Sequence, residues 1–240
     1  RISFLVWNSI PDEELLDAAE AGELGSGTGM DAQFERMLED GKASRGIRNL
    51  FTEMYGLNGL DSLSKDPLVF THASPELGPA AKEEMLLGIE ALALGGDDFR
   101  DLLTTRHSYV DRRLGALYNI AAPTPDGFGE VWLEKGDGRR GLLGQAGYLL
   151  LAAHPTGTSA TLRGLFIRQK LLCQSIPAPP ANVDTSIPES DAESPTLRER
   201  IASHLEDPTC ATCHELTDLP GLGLENFDGV GRWRDTENGA

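Results

Sequence analysis

Two cysteines lie three residues apart near the end of this 240-residue chain, and a histidine follows directly. Cys210, Cys213 and His214 form a C-x-x-C-H motif, which is the attachment pattern of c-type haem. On one helical turn both thiols point the same way and reach the two vinyl groups on one edge of the porphyrin. The imidazole then faces the ring as the proximal axial ligand of the iron. The motif therefore predicts a helical unit that binds one covalent haem c.

Three other interpretations of the cysteines stay open. A structural zinc site needs four ligands, and only Cys173 is left outside the motif to add a thiolate. A thioredoxin-like dithiol is expected beside a βαβ unit, whereas this region has helical periodicity. A disulfide across the motif is the third alternative. The histidine directly after the second cysteine favours haem, and Cys173 is expected to be a small buried apolar residue.

The second axial ligand of the iron is open, and since no methionine follows His214, the candidates within the chain are histidines. His204 lies on the apolar face of the helix before the motif, too close in sequence to reach the opposite side of the ring easily. His154 ends a buried segment elsewhere in the chain and is the preferred ligand from within the chain. A vacant position, a water molecule or a ligand from another chain segment is equally open.

The residues after the motif are candidates for the rest of the haem pocket. Apolar side chains there would keep water off the iron and raise its potential. Arginines would pair with the haem propionates, or else form a solvated tail. The candidates are Leu219, Pro220, Leu222, Leu224 and Phe227 for the apolar wall, and Arg232 with Arg234 for the propionates.

Apolar spacing predicts a mainly α fold. Asp31 is expected to cap a short helix, and Pro79 is expected at position N1 of a long one that Gly95, Gly96 and Asp97 end. Residues 131–133 with the turn at 135–138 predict one small β-hairpin. The helical spacing recurs at Ile47, Leu50, Phe51 and Met54, and again at Met85, Ile89 and Leu92.

Proline-rich and glycine-rich stretches divide the chain. A buried helix is expected over 142–153 and should stop at His154, since Pro155 disfavours helical geometry in the residue before it. The predicted segments are a helical domain of unknown function at 1–121, a hairpin and helices packing toward the haem unit at 122–175, a Pro-rich connector at 176–195, and a haem-binding unit at 196–240.

The charge of the chain excludes one broad class of function. A net charge of −17 would repel a phosphate backbone, so nucleic-acid binding is not expected. The acidic surface either keeps the protein soluble, which we prefer, or docks a basic redox partner. No apolar run is long enough to predict a membrane span. The first residues read as part of a fold rather than as a signal peptide, so we expect a piece of a larger chain or complex.

The chain resembles the planctomycete-type multi-domain cytochrome c proteins, which are exported and built from domains of unknown function. The most specific parts are HP-x-x-TS-x-x-x-RG at 154–164 and the block at 210–234, where LENFD occupies 224–228. One departure is RHSYVDRR at 106–113, where the family tends to have an acidic residue and asparagine. The resemblance implies covalent haem and export, without a defined reaction. Similar segments also lie at 1–24, 36–51, 102–120 and 141–183.

Three functions of different classes follow. The preferred one is electron transfer by an exported c-type cytochrome domain that is periplasmic, at the cell surface or secreted, because haem is joined to this motif outside the bacterial cytoplasmic membrane. The partner of this cytochrome domain would be a redox protein or another haem subunit.

The second function is a peroxidase- or oxygenase-like haem enzyme, with His154 or His204 and Arg163 on the distal side. The third is a structural or interaction module of a multi-haem assembly.

Overall fold

The computed structural model describes residues 1–136, 138–177, 190–202, 206 and 208–240. Over these residues the protein is mainly α-helical, as the apolar spacing predicts. None of the helices in this described part is both long and apolar enough to cross a bilayer. The α-helices are Ile2–Trp7, Glu13–Glu20, Gly27–Glu39, Lys42–Tyr55, Leu77–Gly95, Arg112–Tyr118, Gly141–Gly144, Ala146–Leu151, Ala160–Phe166, Leu197–Arg200 and Pro208–Leu222. Short 3-10 helices lie at Glu23–Gly25, Leu57–Ser62 and Phe99–Leu103, and one π-helical turn at Ile167–Leu171.

The long helix Leu77–Gly95 ends where its sequence signals predict and begins two residues earlier than predicted. Pro79 is its third residue rather than its first, and it still lies in the first turn, where a missing backbone N–H costs no helical hydrogen bond. Gly96 follows the last residue in the left-handed conformation, with φ 77°, and so ends the helix.

The start of the helix Gly27–Glu39 differs from the prediction. Asp31 lies inside this helix, so its expected role as the cap is wrong. The cap is Ser26, whose Oγ accepts a hydrogen bond from the backbone N–H of Gly29 at 3.1 Å. An upstream serine therefore begins the helix before the chain reaches the aspartate.

The predicted small sheet exists, but its partner strand is different. Strand β2, Gly129–Trp132, pairs antiparallel with strand β1, His107–Val110, and not with residues after the turn at 135–138. Between the strands, the Asp111 side chain accepts from the N–H groups of the first turn of the helix Arg112–Tyr118. This capped helix reverses the chain, so that the second strand returns alongside the first.

Buried apolar side chains form three clusters. The main cluster extends from Phe51 to Val230 and includes residues from both halves of the chain. The division of the chain into the four segments given above stays a prediction. A second cluster contains Val6, Trp7, Leu15, Met37 and Ala43, and a third contains Ala160, Leu197, Ile201 and Leu222.

A buried carboxyl group joins four elements inside the main cluster. Glu84 is fully buried, and it accepts hydrogen bonds from Ser108 Oγ at 2.7 Å and Tyr118 OH at 2.6 Å. Tyr118 OH in turn accepts from the backbone N–H of Ala146 at 2.9 Å. That N–H opens the helix Ala146–Leu151, so the expected helix over 142–153 is in fact two helices, broken where Gln145 is extended. Burial raises the pKa of Glu84 to about 7.

We expect Glu84→Gln to remove a pH dependence of stability. A carboxyl group whose pKa is raised in the folded state stabilises the fold below its unfolded pKa, and this stabilisation is lost as pH rises toward about 7. The loss is on the order of 3 kcal/mol between about pH 5 and pH 8. Urea unfolding at the two pH values measures it, and the exposed Glu53→Gln serves as the matched control. An E84Q protein with the same pH dependence as wild type would contradict this assignment.

Candidate functional site

The C-x-x-C-H motif lies on the helix Pro208–Leu222, which we call the motif helix. Cys210 and Cys213 are free thiols, and both side chains are half-buried. The His214 side chain is 26% exposed. Positions i, i+3 and i+4 share one helical face, so the structure brings the three predicted residues together.

The motif helix packs backbone against backbone on the helix Ala160–Phe166, which we call the crossing helix. A Cβ atom at Gly164 would collide with the backbone of Thr217, and one at Gly221 would collide with the backbone of Ala160. Glycine is needed at both positions because nothing larger allows such an approach. These two contacts also show that the helices run antiparallel.

One face of the motif helix is covered at its C-terminal end and half-exposed at the motif. Thr217 and Gly221 continue, at i+7 and i+11 from Cys210, the face that carries the cysteine. Both are buried against the crossing helix. Cys210, Cys213 and His214 lie beyond that contact and are only partly buried. This face is therefore continuous with the interior of the protein and still accessible at the motif.

The imidazole of His214 is held by a buried carboxylate. Nδ1 of His214 lies 2.9 Å from Oδ2 of Asp218, whose side chain is 0% exposed. Asp218 Oδ1 accepts from Thr161 Oγ1 at 2.7 Å and from Thr217 Oγ1 at 3.2 Å. Since a carboxylate accepts, the His214 Nδ1–H donates, and the tautomer presents Nε2 as the ligand nitrogen.

Sequence reasoning missed Asp218 and Thr161. The signal for Asp218 was present, because it follows His214 by four residues, the spacing at which helical side chains meet. Thr161 lies in the segment 154–164, and the sequence pattern of this segment indicates no role for the threonine. The structure supplies that role, since the segment holds the carboxylate behind the histidine.

Arg163 does not lie open to a distal pocket, so its expected role as a catalytic partner is wrong. Its guanidinium is fully buried and donates to the backbone oxygens of residues 224, 227 and 228 at 2.8–2.9 Å. It also pairs with Glu225 Oε1 at 2.8 Å. Burial lowers the pKa of the guanidinium and raises that of the Glu225 carboxyl. Arg163 therefore joins the crossing helix to the loop after the motif helix.

The candidate second ligands are placed differently. His154 is exposed, in a turn that its N–H closes on Gly157 O at 2.9 Å. The antiparallel pairing puts this turn beyond the Gly221 end of the motif helix, away from His214. His154 as an iron ligand stays a prediction, and His204 lies outside the described residues.

The predicted apolar wall is divided between two clusters. Leu222 packs in the third cluster with Ala160, while Phe227 lies in the main cluster with its ring centroid 5.1 Å from that of Trp233. Leu224 packs partly buried against the main cluster. Their contact with a haem stays a prediction.

The two arginines near the end of the chain have different surroundings. Arg232 is exposed. Arg234 pairs with Glu225 at 3.1 Å and with Glu237 at 3.4 Å, so it is already matched with carboxylates. Pairing of Arg232 with a haem propionate stays a prediction.

The predicted burial of Cys173 is wrong. The residue is exposed and adopts φ 52°, just after the π-helical turn Ile167–Leu171 ends. At this point the chain has left the π-helical turn, and the thiol is exposed to solvent.

The donor set fits a haem better than a metal ion bound by side chains alone. In the described ranges, no group of three or more side chains of His, Cys, Asp or Glu is arranged to hold a metal ion. A structural zinc site requires four such ligands. A haem supplies four nitrogen ligands to its own iron, and the protein has to supply only the thiols for attachment and an axial imidazole. Two free thiols and an oriented histidine on one helix face meet that requirement.

Two protein-family models match the chain. Residues 1–120 match PSD4, described as a protein of unknown function (DUF1592), and residues 139–237 match PSCyt3, described as a protein of unknown function (DUF1588). Both are domains of planctomycete-type cytochrome c proteins, which confirms the resemblance at this level. No curated protein and no solved structure matches.

We expect Gly164→Ala to destabilise the protein by about 1–3 kcal/mol, because the added methyl group must separate the two helices. The sign of this change is informative, because helix propensity alone predicts that alanine stabilises a helix by roughly 1 kcal/mol relative to glycine. Gly41→Ala is the matched control, because a Cβ there meets nothing within 4 Å. Denaturant unfolding measures both variants, and a G164A protein as stable as G41A would disprove the close contact.

Proposed function

Since this chain belongs to the PSD4 family (DUF1592), we propose that it is an exported c-type cytochrome domain that transfers electrons. One haem would be joined to Cys210 and Cys213 by thioether bonds, with His214 as the proximal axial ligand. When bound, the haem supplies a one-electron Fe(III)/Fe(II) couple.

The observation that carries this proposal is the arrangement around His214. A metal-binding histidine donates its other N–H to a carboxylate, carbonyl or water, which fixes the ring and its tautomer. Asp218 accepts that bond at 2.9 Å, and the two thiols share the helix face with the ring. A chance C-x-x-C-H sequence has no need of a buried carboxylate behind its histidine.

The partial exposure of the motif supports electron exchange at the protein surface. Cys210 and Cys213 are half-buried, while the same face is fully buried one turn further along the helix. A cofactor held by these side chains would be attached where the helix face is accessible from solvent.

The charge of the chain supports a basic redox partner. With a net charge of −17, the protein attracts cationic surfaces over a distance set by the ionic strength. Such steering raises association rates at low salt. Attachment of haem to this motif outside the bacterial cytoplasmic membrane places the protein in the periplasm, at the cell surface or in the medium.

We expect the protein, produced in a periplasm with cytochrome c maturation, to keep its haem after acid–acetone extraction. The double variant Cys210→Ser/Cys213→Ser should lose covalent haem completely, because no thioether bond can form. Cys173→Ser is the matched control, since Cys173 is also a free thiol but is exposed and lies outside the C-x-x-C-H motif. It should keep the full amount, measured as pyridine haemochrome per protein.

Two outcomes would contradict the proposal. A colourless wild-type protein would exclude a haem at the motif. A haem protein that binds cyanide or CO rapidly, and is not reduced and reoxidised reversibly, would favour the haem-enzyme alternative instead of electron transfer.

A further inference from the structure

We propose that Asp218 lowers the reduction potential of the haem through the imidazole of His214. Asp218 would act as a positioning residue that never touches the iron. The inference rests on the proposed function and adds a direction for the tuning of its redox couple.

The first step is the strength of the contact. Oδ2 of Asp218 accepts from His214 Nδ1 at 2.9 Å. An ionised acceptor makes a hydrogen bond roughly twice as strong as a neutral carbonyl does. The Asp218 side chain is 0% exposed, so water does not weaken the interaction.

The second step is the hold on the carboxylate itself. Thr161 Oγ1 on the crossing helix donates to Oδ1 at 2.7 Å, and the neighbouring Thr217 donates to the same atom at 3.2 Å. Both hydroxyls bind Oδ1 and direct Oδ2 toward the imidazole. In the described part of the chain, His214 is the only basic side chain paired with Asp218.

The third step is the effect on the iron. Donation from Nδ1–H to a carboxylate makes the ligand nitrogen Nε2 more electron-rich. An electron-rich axial ligand favours the more positive Fe(III) state over Fe(II), and so lowers the potential. One electron passes between the iron and the redox partner, no bond breaks, and the proton stays on Nδ1. A lower potential makes the reduced protein the stronger electron donor.

Asp218→Asn tests this inference because it keeps the side-chain shape and removes the charge. We expect the Fe(II)/Fe(III) ratio at a fixed ambient potential to rise about tenfold, which is ~59 mV for one electron. Glu215→Gln is the control, since it removes one negative charge from the exposed residue directly after His214 and leaves the Nδ1 contact intact. Its ratio should stay within about twofold of wild type, because an exposed charge is screened.

A second variant decides the question if Asp218→Asn fails to fold. Thr161→Val keeps the charge of Asp218 and removes the hydroxyl that directs Oδ2 toward the imidazole. The hydrogen bond to His214 Nδ1 is then weaker, so the ratio should shift toward Fe(II), in the same direction as Asp218→Asn but by less. An unchanged ratio, or a shift toward Fe(III), overturns the inference.

Spectroelectrochemical titration of the full chain gives these ratios and separates the two proposals. If the wild-type protein carries no covalent haem, the proposed function fails before any potential is measured. If the haem is present but Asp218→Asn titrates like wild type, only the role of Asp218 fails.

Discussion

The contact between two helix backbones determines most of the candidate site. Gly164 and Gly221 let the crossing helix and the motif helix approach without side chains between them. Only at this separation does the Thr161 hydroxyl reach the Asp218 carboxylate at 2.7 Å. The histidine that follows the cysteines is therefore oriented by a helix from a different part of the chain. A wider separation would leave Asp218 to water and His214 without a fixed ring position.

The same short helix also carries a buried cation. Arg163 is fully buried, and such burial costs several kcal/mol unless the charge is paired and its donors are satisfied. Three backbone oxygens and the Glu225 carboxylate offset most of this cost, while Nε has no hydrogen-bond partner among the described residues. Arg163 therefore holds the loop after the motif helix, while Thr161 holds the helix itself. The segment 154–164, the most specific pattern before the motif, supports the site from behind through Thr161 and Arg163.

Residue types in the sequence predict structure that depends on neighbours a few positions away. They do not predict contacts between residues that are distant in the chain. The end of the helix Leu77–Gly95 follows from Gly96, and its start lies within two residues of the position that Pro79 predicts, because each residue acts within its own turn. The sheet pairs strands that a capped helix separates, so the partner of 129–132 depends on where that helix turns the chain. Asp31 and Ser26 are both good caps, and nothing in the residue types decides between them. Arg163 shows the same limit, because the sequence shows that a guanidinium group is present but does not show that it is buried.

The candidate site shows the same difference between features set by nearby residues and features set by distant ones. The proposed attachment of a haem would require only Cys210, Cys213 and His214, which are fixed by spacing on one helix and visible in the sequence. The proposed tuning would require Asp218 to be buried and held by Thr161, which lies 57 residues away in the chain. Evolution of the helix packing can therefore change the electronic character of the ligand without altering the motif. Two chains with the same C-x-x-C-H sequence need not share a potential, since the carboxylate behind the histidine belongs to the tertiary structure.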